Sequence, residues 1–248
     1  MNPSPLIEVR NVSLHYGHFK ALSNVSVSFA PNQLTAIIGP NGAGKSTFFN
    51  VLSGALPPTT GQVLFEGQDI TDLKAHDYAR HGIAKSFQIT NVFKQLSVHE
   101  NVRVAAQMRY ARYELFKPRA SFKQAIEEAD ALLDRVGLTA LRNKTVADLA
   151  HGQQRSLEIA MALAAKPKLL LMDEPTAGMS PEETSAMMTL ITELAKERTV
   201  VLVEHKMKLV MGICERLIVL HHGEFLAQGT ADDIRNNDEV RRVYLGQG

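Results

Sequence analysis

The residues with the clearest chemical meaning form a glycine-rich loop after a short apolar run. Gly39-Pro40-Asn41-Gly42-Ala43-Gly44-Lys45-Ser46 matches the pattern G-x-x-x-x-G-K-[ST], and Thr47 leads into an apolar stretch. Glycines let backbone N–H groups converge on phosphate oxygens, and the start of a following helix adds partial positive charge. In this pattern Lys45 reaches the β- and γ-phosphates, and the Ser46 hydroxyl ligates Mg²⁺. The loop predicts a nucleoside triphosphate site.

A second group of candidate residues is a carboxylate pair at the end of another apolar run. Asp173 and Glu174 follow Leu169–Met172. Because side chains alternate along a strand, the two acids should point apart and do different work. Asp173 suits Mg²⁺, bound through water, and Glu174 is then free to act as general base toward an attacking water. The alternative, for an Asp-Glu-Pro sequence standing alone, is a solvated strand end.

Histidines follow two further apolar runs. His205 comes directly after Thr199–Val203 and Glu204. Open parallel sheets bind ligands at the carboxyl ends of their strands, which makes His205 a candidate, although a lone histidine is usually structural. His221 and His222 lead into a glycine, and their side chains are expected to diverge. The histidines lack the spacing of a zinc site.

The elements that must position these residues alternate between strand-length apolar runs and stretches of helical periodicity, which predicts an α/β fold. Buried strands are expected at four apolar runs: Leu34–Ile38, Leu169–Met172, Thr199–Val203 and Leu217–Leu220. Two antiparallel strands should precede them, at 7–14 and 25–29, with a turn at Pro31-Asn32. The stretch from Val98 to Ala165 is mostly helical in pattern.

Two segments carry more local signals. Ser180-Pro181-Glu182-Glu183 predicts a helix start, with an N-cap serine, proline at the first position and a capping-box glutamate. The stretch from Arg103 to Lys123 holds six basic residues against one acid, Glu114. A solvated helical face explains this excess, and contact with an anionic surface beside a membrane is the alternative.

Composition narrows the class of protein. The 248 residues are 45% hydrophobic and 21% charged, as in ordinary globular domains, and the net charge of +1 gives no electrostatic basis for broad nucleic-acid binding. No apolar run approaches the roughly 20 residues of a membrane span, and the N-terminus has no signal-peptide pattern. The single cysteine, Cys214, suits a reducing compartment. These features predict a cytosolic-type protein.

Taken in order, these motifs resemble those of the ATP-binding cassette ATPases over nearly the whole chain. Tyr16 matches the aromatic residue that stacks on adenine, and Gln88 matches the glutamine that senses Mg²⁺ and the membrane partner. Leu149-Ala150-His151-Gly152-Gln153 stands where that family has its signature, Leu-Ser-Gly-Gly-Gln. His205 matches the switch histidine that contacts the γ-phosphate.

The resemblance implies a fold and a division of the chain. The expected fold is a RecA-like phosphate-loop NTPase core with an N-terminal antiparallel β subdomain and an inserted helical subdomain. Residues 1–91 would hold the β subdomain and the first part of the core, 92–151 the helical subdomain, and 152–248 the rest of the core with C-terminal helices.

The resemblance also implies partners. Two ATPase subunits pair head to tail, so Ala150, His151, Gly152 and Gln153 would bind the nucleotide of the partner in trans. Ala150 lacks the usual serine hydroxyl and His151 replaces the first glycine, which leads us to expect a different chain as the partner. Two transmembrane permease subunits and, indirectly, a solute-binding protein complete the implied complex. The ATPase would lie at the cytoplasmic face of the membrane as a peripheral subunit.

Within the family, the chain is most similar to ATPases of branched-chain amino-acid importers. Residues 152–160, 175–179 and 204–211 carry that likeness, together with the ending Tyr244-Leu245-Gly246. Related importers of urea, amides or aromatic acids share much of it. A lipopolysaccharide-type exporter ATPase and a non-transport member of the superfamily remain alternatives.

Overall fold

Two β-sheets organise the chain, whose computed structural model describes residues 4–86, 92–110 and 122–245. The strands are β1 Ile7–Tyr16, β2 Phe19–Phe29, β3 Leu34–Ile38, β4 Thr60–Phe65, β5 Gln68–Asp69, β6 Ile83–Ser86, β7 Leu169–Asp173, β8 Thr199–Val203, β9 Arg216–His221 and β10 Glu224–Gly229. The helices are α1 Lys45–Leu52, α2 Ala75–His81, α3 Val98–Tyr110, α4 Lys123–Arg135, α5 His151–Leu163, α6 Pro181–Ala195, α7 Met207–Ile213, α8 Ala231–Asn236 and α9 Asp238–Leu245.

The first sheet is antiparallel, in the order β2-β1-β4-β5. Its first two strands pair in the register Val9↔Val27 and Val12↔Val25. These valines are buried while the residues between them are more exposed, which is the alternation of a sheet with one face on the core. Both predicted N-terminal strands are confirmed, whereas β4 and β5 were not predicted.

The second sheet has the order β10-β9-β3-β8-β7-β6, and its strands are parallel except for β10. Every residue of β3, β7 and β8 is buried, which explains their unbroken apolar sequences. Ala36 and Ile38 face one core and Ile37 the other, so apolar side chains cover both faces of the sheet. The four predicted buried strands and the α/β fold are confirmed.

The helical middle of the chain is confirmed for the described residues. Helices α3 and α4 pack on each other and on α5, through buried residues such as Val102, Ala129 and Leu133. Part of the basic stretch, residues 111–121, lies outside the described residues, so its two interpretations stay open. No helix in the described ranges combines the length and the apolar character needed to cross a bilayer.

The predicted start of α6 is also confirmed. The Glu183 N–H donates to Ser180 Oγ at 3.2 Å, and the Ser180 N–H donates to Glu183 Oε2 at 3.0 Å. Two N–H groups that lack helical partners are thereby satisfied. Buried Met187, Ile191 and Leu194 then hold the helix on the core.

Removal of this cap gives a first prediction. Ser180→Ala deletes the hydroxyl acceptor and is expected to lower the free energy of unfolding by about 1 kcal/mol. Urea denaturation of the purified chain measures the change. Ser185→Ala, an exposed position inside α6, is the matched control and should cost nothing, because alanine is the better helix former. Equal losses in the two variants would contradict the capping role.

Candidate functional site

The carboxyl ends of β3, β7, β8 and β9 meet at one edge of the parallel sheet, called here the carboxyl edge. The glycine-rich loop follows β3, the acid pair ends β7, and His205 and His222 follow β8 and β9. Parallel strand order therefore brings together four segments that are distant in sequence. This is the position at which open α/β sheets bind their ligands.

Steric limits fix the glycine-rich loop. Gly44 caps α1 with φ of +91°, and a Cβ at this position would lie 2.8 Å from the Ala21 carbonyl oxygen and 3.2 Å from Gly223 Cα. Only glycine fits this contact. The loop consequently turns directly into α1, whose first backbone N–H groups face an anion site.

Lys45 is the buried cation of the loop. Its Nζ donates to the Gly39 carbonyl at 2.7 Å and to the Pro40 carbonyl at 3.0 Å. Burial lowers the pKa of Lys45, and the charges of Glu174 and Asp173 act in the opposite direction. The ammonium group therefore lies within electrostatic range of both acids.

Asp173 lies in a buried environment with basic neighbours. Burial raises the pKa of its carboxyl, and the positive charge of Lys85 opposes that shift most strongly. Lys85 itself, on β6, donates to Asn50 Oδ1 at 2.6 Å and lies 5.1 Å from the centre of the Phe49 ring. Arg155 of α5 donates to the Asp173 carbonyl at 2.5 Å.

Glu174 has different surroundings from its neighbour, because it lies beyond the end of β7 and outside the alternation of that strand. Its Oε1 lies 2.8 Å from His205 Nε2, and the two side chains are 28% and 45% exposed. The Glu174 N–H donates to the Val203 carbonyl at 2.9 Å, and its φ is +45°. This left-handed conformation turns the chain away from β7 and brings the carboxylate beside the residue that follows β8.

Glu204 was not assigned a role from the sequence. Its buried Oε1 accepts from Thr176 Oγ1 at 2.6 Å and from the Thr176 N–H at 3.2 Å, while its Oε2 accepts from the His205 N–H at 3.1 Å. The carboxylate thus ties the segment after β7 to the segment after β8. A carboxylate next to a strand-end histidine, after the four apolar residues 200–203, is the sequence signal for such a role.

A cavity of about 460 Å³ opens over the glycine-rich loop. It is lined by Phe19, Lys20, Ala21, residues 41–47, His205, His222 and Gly223. Tyr16 is exposed on the same hairpin as Phe19 but does not line the cavity. Sequence patterns did not assign Phe19, Lys20 or His222 to this cavity, because only tertiary packing brings these residues to the loop.

Two further predictions from the sequence concern the His221–His222 pair and Gln88. The rings of His221 and His222 lie 4.0 Å apart at 55°, so the prediction that they diverge is wrong. The two-residue turn that they enter folds both rings to the same side of the hairpin. Gln88 lies outside the described residues.

The altered signature lies at the start of α5, which begins at His151. Ala150 is the N-cap residue, and its N–H donates to Gln153 Oε1 at 3.1 Å. Ala150 has no side-chain oxygen to return the bond, so only half of a capping box forms. A Cβ on Gly152 would lie 2.5 Å from Glu183 Oε1, and the exposed His151 ring lies beside Gly178.

The charge on Lys85 generates a prediction for Asp173. Lys85→Met keeps the length of the side chain but removes the cation, so the pKa of Asp173 should rise further. Carbon-detected NMR titration of the Asp173 carboxyl measures it. Lys123→Met, on α4, removes a lysine that is not among the charges acting on Asp173 and is the matched control. An unchanged Asp173 pKa in Lys85→Met would contradict this charge balance.

Comparison with known proteins agrees with this geometry. A family model described as ABC transporter matches residues 22–177, and one described as branched-chain amino acid ATP-binding cassette transporter matches residues 226–248. The high-affinity branched-chain amino acid transport ATP-binding proteins LivG of Escherichia coli and BraF of Pseudomonas aeruginosa are 39% and 40% identical, each alignment covering 98% of both chains. The lipopolysaccharide export system ATP-binding protein LptB of Haemophilus influenzae is 32% identical over the same shares.

Solved structures show the same likeness. An ATP-binding cassette of an ABC transporter in its ADP conformation matches with a TM-score of 0.87 at 30% identity, covering 98% of this chain and 99% of that one. A dimeric cassette bound to ADP and Pi matches with a TM-score of 0.77 at 27% identity, covering 91% and 98%. The chain therefore belongs to the ABC transporter family of ATP-binding, ATP-hydrolysing subunits.

Proposed function

We propose that this chain is the ATPase subunit of an importer for branched-chain amino acids or closely related small solutes. The observation that carries the ATPase role is the Glu174–His205 pair, at 2.8 Å, beside the buried Lys45 and its loop. Support for the substrate comes from full-length similarity to LivG and BraF and from the C-terminal match at residues 226–248.

Nucleotide binding would use the glycine-rich loop. The N–H groups of residues 41–47 and the start of α1 supply donors for phosphate oxygens, and Lys45 exchanges its carbonyl partners for the β- and γ-phosphates. Tyr16 would stack on adenine from the β1–β2 hairpin. The exposed Phe19 ring supports an aromatic surface at that end of the cavity.

The donor set fits Mg²⁺. Ser46 and Asp173 offer the hydroxyl and carboxylate oxygens that this cation takes together with phosphates and water, and Gln88 is the third expected ligand. No cluster of three or more histidine, cysteine or acidic side chains within the described ranges forms a metal cage of its own. A cation held partly by the nucleotide suits such a sparse set of ligands. When bound, Mg²⁺ would neutralise phosphate charge during the transfer.

Glu174 would act as the general base. The contact between His205 Nε2 and Glu174 Oε1 would leave the second carboxylate oxygen of Glu174 to accept a proton from water. That water attacks the γ-phosphorus in line, and the bond to the β-bridging oxygen breaks to give ADP and phosphate. Glu204 would position His205 through its backbone N–H, and Gln88 would report the state of the site to the membrane subunits.

The signature would complete the site of a second ATPase subunit. Ala150, His151, Gly152 and Gln153 lie at the exposed start of α5, where helix N–H groups can bind a phosphate. The dimeric cassette similar to this chain supports a paired arrangement. The absent Ser hydroxyl favours a mixed pair, in which a different chain supplies the full signature to the loop described here.

The remaining parts of the complex follow from this arrangement. The helical segment at about 92–151 would dock on two transmembrane permease subunits at the cytoplasmic face of the membrane, and a solute-binding protein would deliver the solute. Residues 1–91 and 152–248 would form the nucleotide-binding body. The similarity to LptB makes a lipopolysaccharide-type exporter the second candidate, which the C-terminal match disfavours.

The catalytic assignment predicts the behaviour of Glu174→Gln. The amide keeps the shape but cannot accept the proton, so ATP binding should persist while turnover falls by a factor of roughly 100 or more. Turnover and labelled leucine uptake are measured with the co-expressed permeases in proteoliposomes. Lys45→Ala is the complementary control and should lose ATP affinity itself. Near-normal ATP turnover by Glu174→Gln would show that another group is the general base. Export of lipid by the wild-type complex would contradict the importer assignment.

The mixed pair predicts an asymmetric response to Ala150→Ser. Restoring the hydroxyl adds one hydrogen bond to a phosphate, and only in the partner's nucleotide site. That bond should stabilise the bound nucleotide by roughly 1.5–3 kcal/mol. Site-specific photolabelling with an ATP analogue in the purified complex measures occupancy of each subunit. His151→Gly is the companion variant at the second altered position. A stable transporter with two copies of this chain, hydrolysing equally at both sites, would contradict the asymmetry.

A further inference from the structure

The turn between β9 and β10 forms a wall of the nucleotide cavity, and no role given above uses it. His221 pairs with Glu224, so the connection consists of His222 and Gly223 alone. Their φ values of +49° and +80° correspond to a type I′ turn, in which Asn-Gly is the favoured sequence. A non-glycine residue at a left-handed position is uncommon, and histidine is one of the types that adopt it most readily.

This turn is fixed to the glycine-rich loop by backbone contacts. The Gly223 N–H donates to the Ala43 carbonyl at 3.1 Å, and the Ser23 N–H donates to the Gly223 carbonyl at 2.8 Å. A Cβ on Gly223 would lie 2.6 Å from the Ala21 carbonyl oxygen. These contacts join the turn to β2 and to the glycine-rich loop, and the exposed His222 lies at this junction, where it lines the cavity.

Sheet order assigns His222 to one end of the cavity. β8 and β9 lie on opposite sides of β3, so His205 and His222, which follow them, flank the loop that follows β3. His205 pairs with Glu174 at the hydrolytic end. His222 lies on the side of Phe19 and Lys20, which belong to β2. A nucleotide whose γ-phosphate is directed toward Glu174 would then have its nucleoside half on the His222 side.

The chemistry of the lining fits an anionic ligand that carries hydroxyl groups. Lys20, Lys45, His205 and His222 line the cavity, and no carboxylate does so within the part of the chain that the structure describes. An imidazole offers both a donor and an acceptor nitrogen, which matches a ribose hydroxyl. Lys20, as a compact cation, suits the α-phosphate.

We propose that His222 is a nucleotide-binding residue that hydrogen-bonds the ribose of ATP, with Lys20 beside it at the α-phosphate. This assignment rests on the proposed ATPase function and adds a second histidine to its site. His205 would serve the γ-phosphate end and His222 the nucleoside end, one on each side of the loop.

Calorimetric titration of the full chain with ATP, ADP and inorganic tripolyphosphate tests the assignment. His222→Gly removes the imidazole and leaves Gly-Gly, which type I′ turns accept. We expect ATP and ADP to bind about fivefold more weakly, the effect of one lost hydrogen bond, and tripolyphosphate to bind as in the wild type because it has no ribose. His76→Asn, an exposed histidine outside the cavity, is the matched control and should change nothing.

Two results would overturn the proposal. Unchanged ATP affinity in His222→Gly would show that the imidazole makes no contact. Equal weakening of ATP and tripolyphosphate would show that the turn acts only by supporting the loop. If His222→Gly does not fold, the wild-type chain is titrated with 2′,3′-dideoxy-ATP, which lacks the ribose hydroxyls and should bind about fivefold more weakly than ATP. Equal affinity for the two nucleotides would also overturn the proposal. Failure of the wild-type chain to bind ATP would instead contradict the proposed function itself.

Discussion

The burial of the Lys45 ammonium group sets the charge balance on which the carboxyl edge depends. A buried cation is costly unless hydrogen bonds and opposite charges compensate, and Lys45 has both, in the Gly39 and Pro40 carbonyls and in the nearby acids of β7. The carboxylate of Asp173 is in turn balanced by the positive charges of Lys85 and Arg155 and by His205. In the proposed binding mode, an incoming polyphosphate would compete for the carbonyl partners of Lys45 and add negative charge beside both acids.

Hydrogen bonds made by two charged side chains connect the segments around the carboxyl edge. Glu204 links the segments after β7 and β8 through Thr176 and His205, and Arg155 links the start of α5 to the Asp173 carbonyl. Residues of the altered signature therefore lie on the same helix as a residue that contacts the end of β7. In the proposed mixed pair, Arg155 would connect the signature helix of this chain to the backbone of its own Asp173.

Sequence patterns predicted the parts of the fold whose energetics are local. Strands β3, β7 and β8 are uniformly apolar because both of their faces are buried, and the Ser180 cap depends only on residues within one turn. β6 was missed because it has four residues and includes Lys85, whose burial depends on Asn50 and Phe49. The half-exposed edge strand β10 has no continuous apolar pattern.

In the candidate site, the residues of the glycine-rich loop and those at the ends of apolar strands could be predicted from sequence. The cavity is also lined by Phe19, Lys20 and His222. These three reach it only because β2 and the β9–β10 turn pack on the loop.

The central claim is that one nucleotide lies across the carboxyl edge, with its phosphates on the glycine-rich loop. A crystal structure of the Glu174→Gln chain with ATP and Mn²⁺ in place of Mg²⁺ tests it most directly, because anomalous scattering locates the cation independently of the nucleotide. The account predicts triphosphate density against residues 41–47, the cation beside Ser46 and Asp173, and the ribose on the His222 side. Triphosphate bound elsewhere, or a cation remote from Asp173, would contradict it.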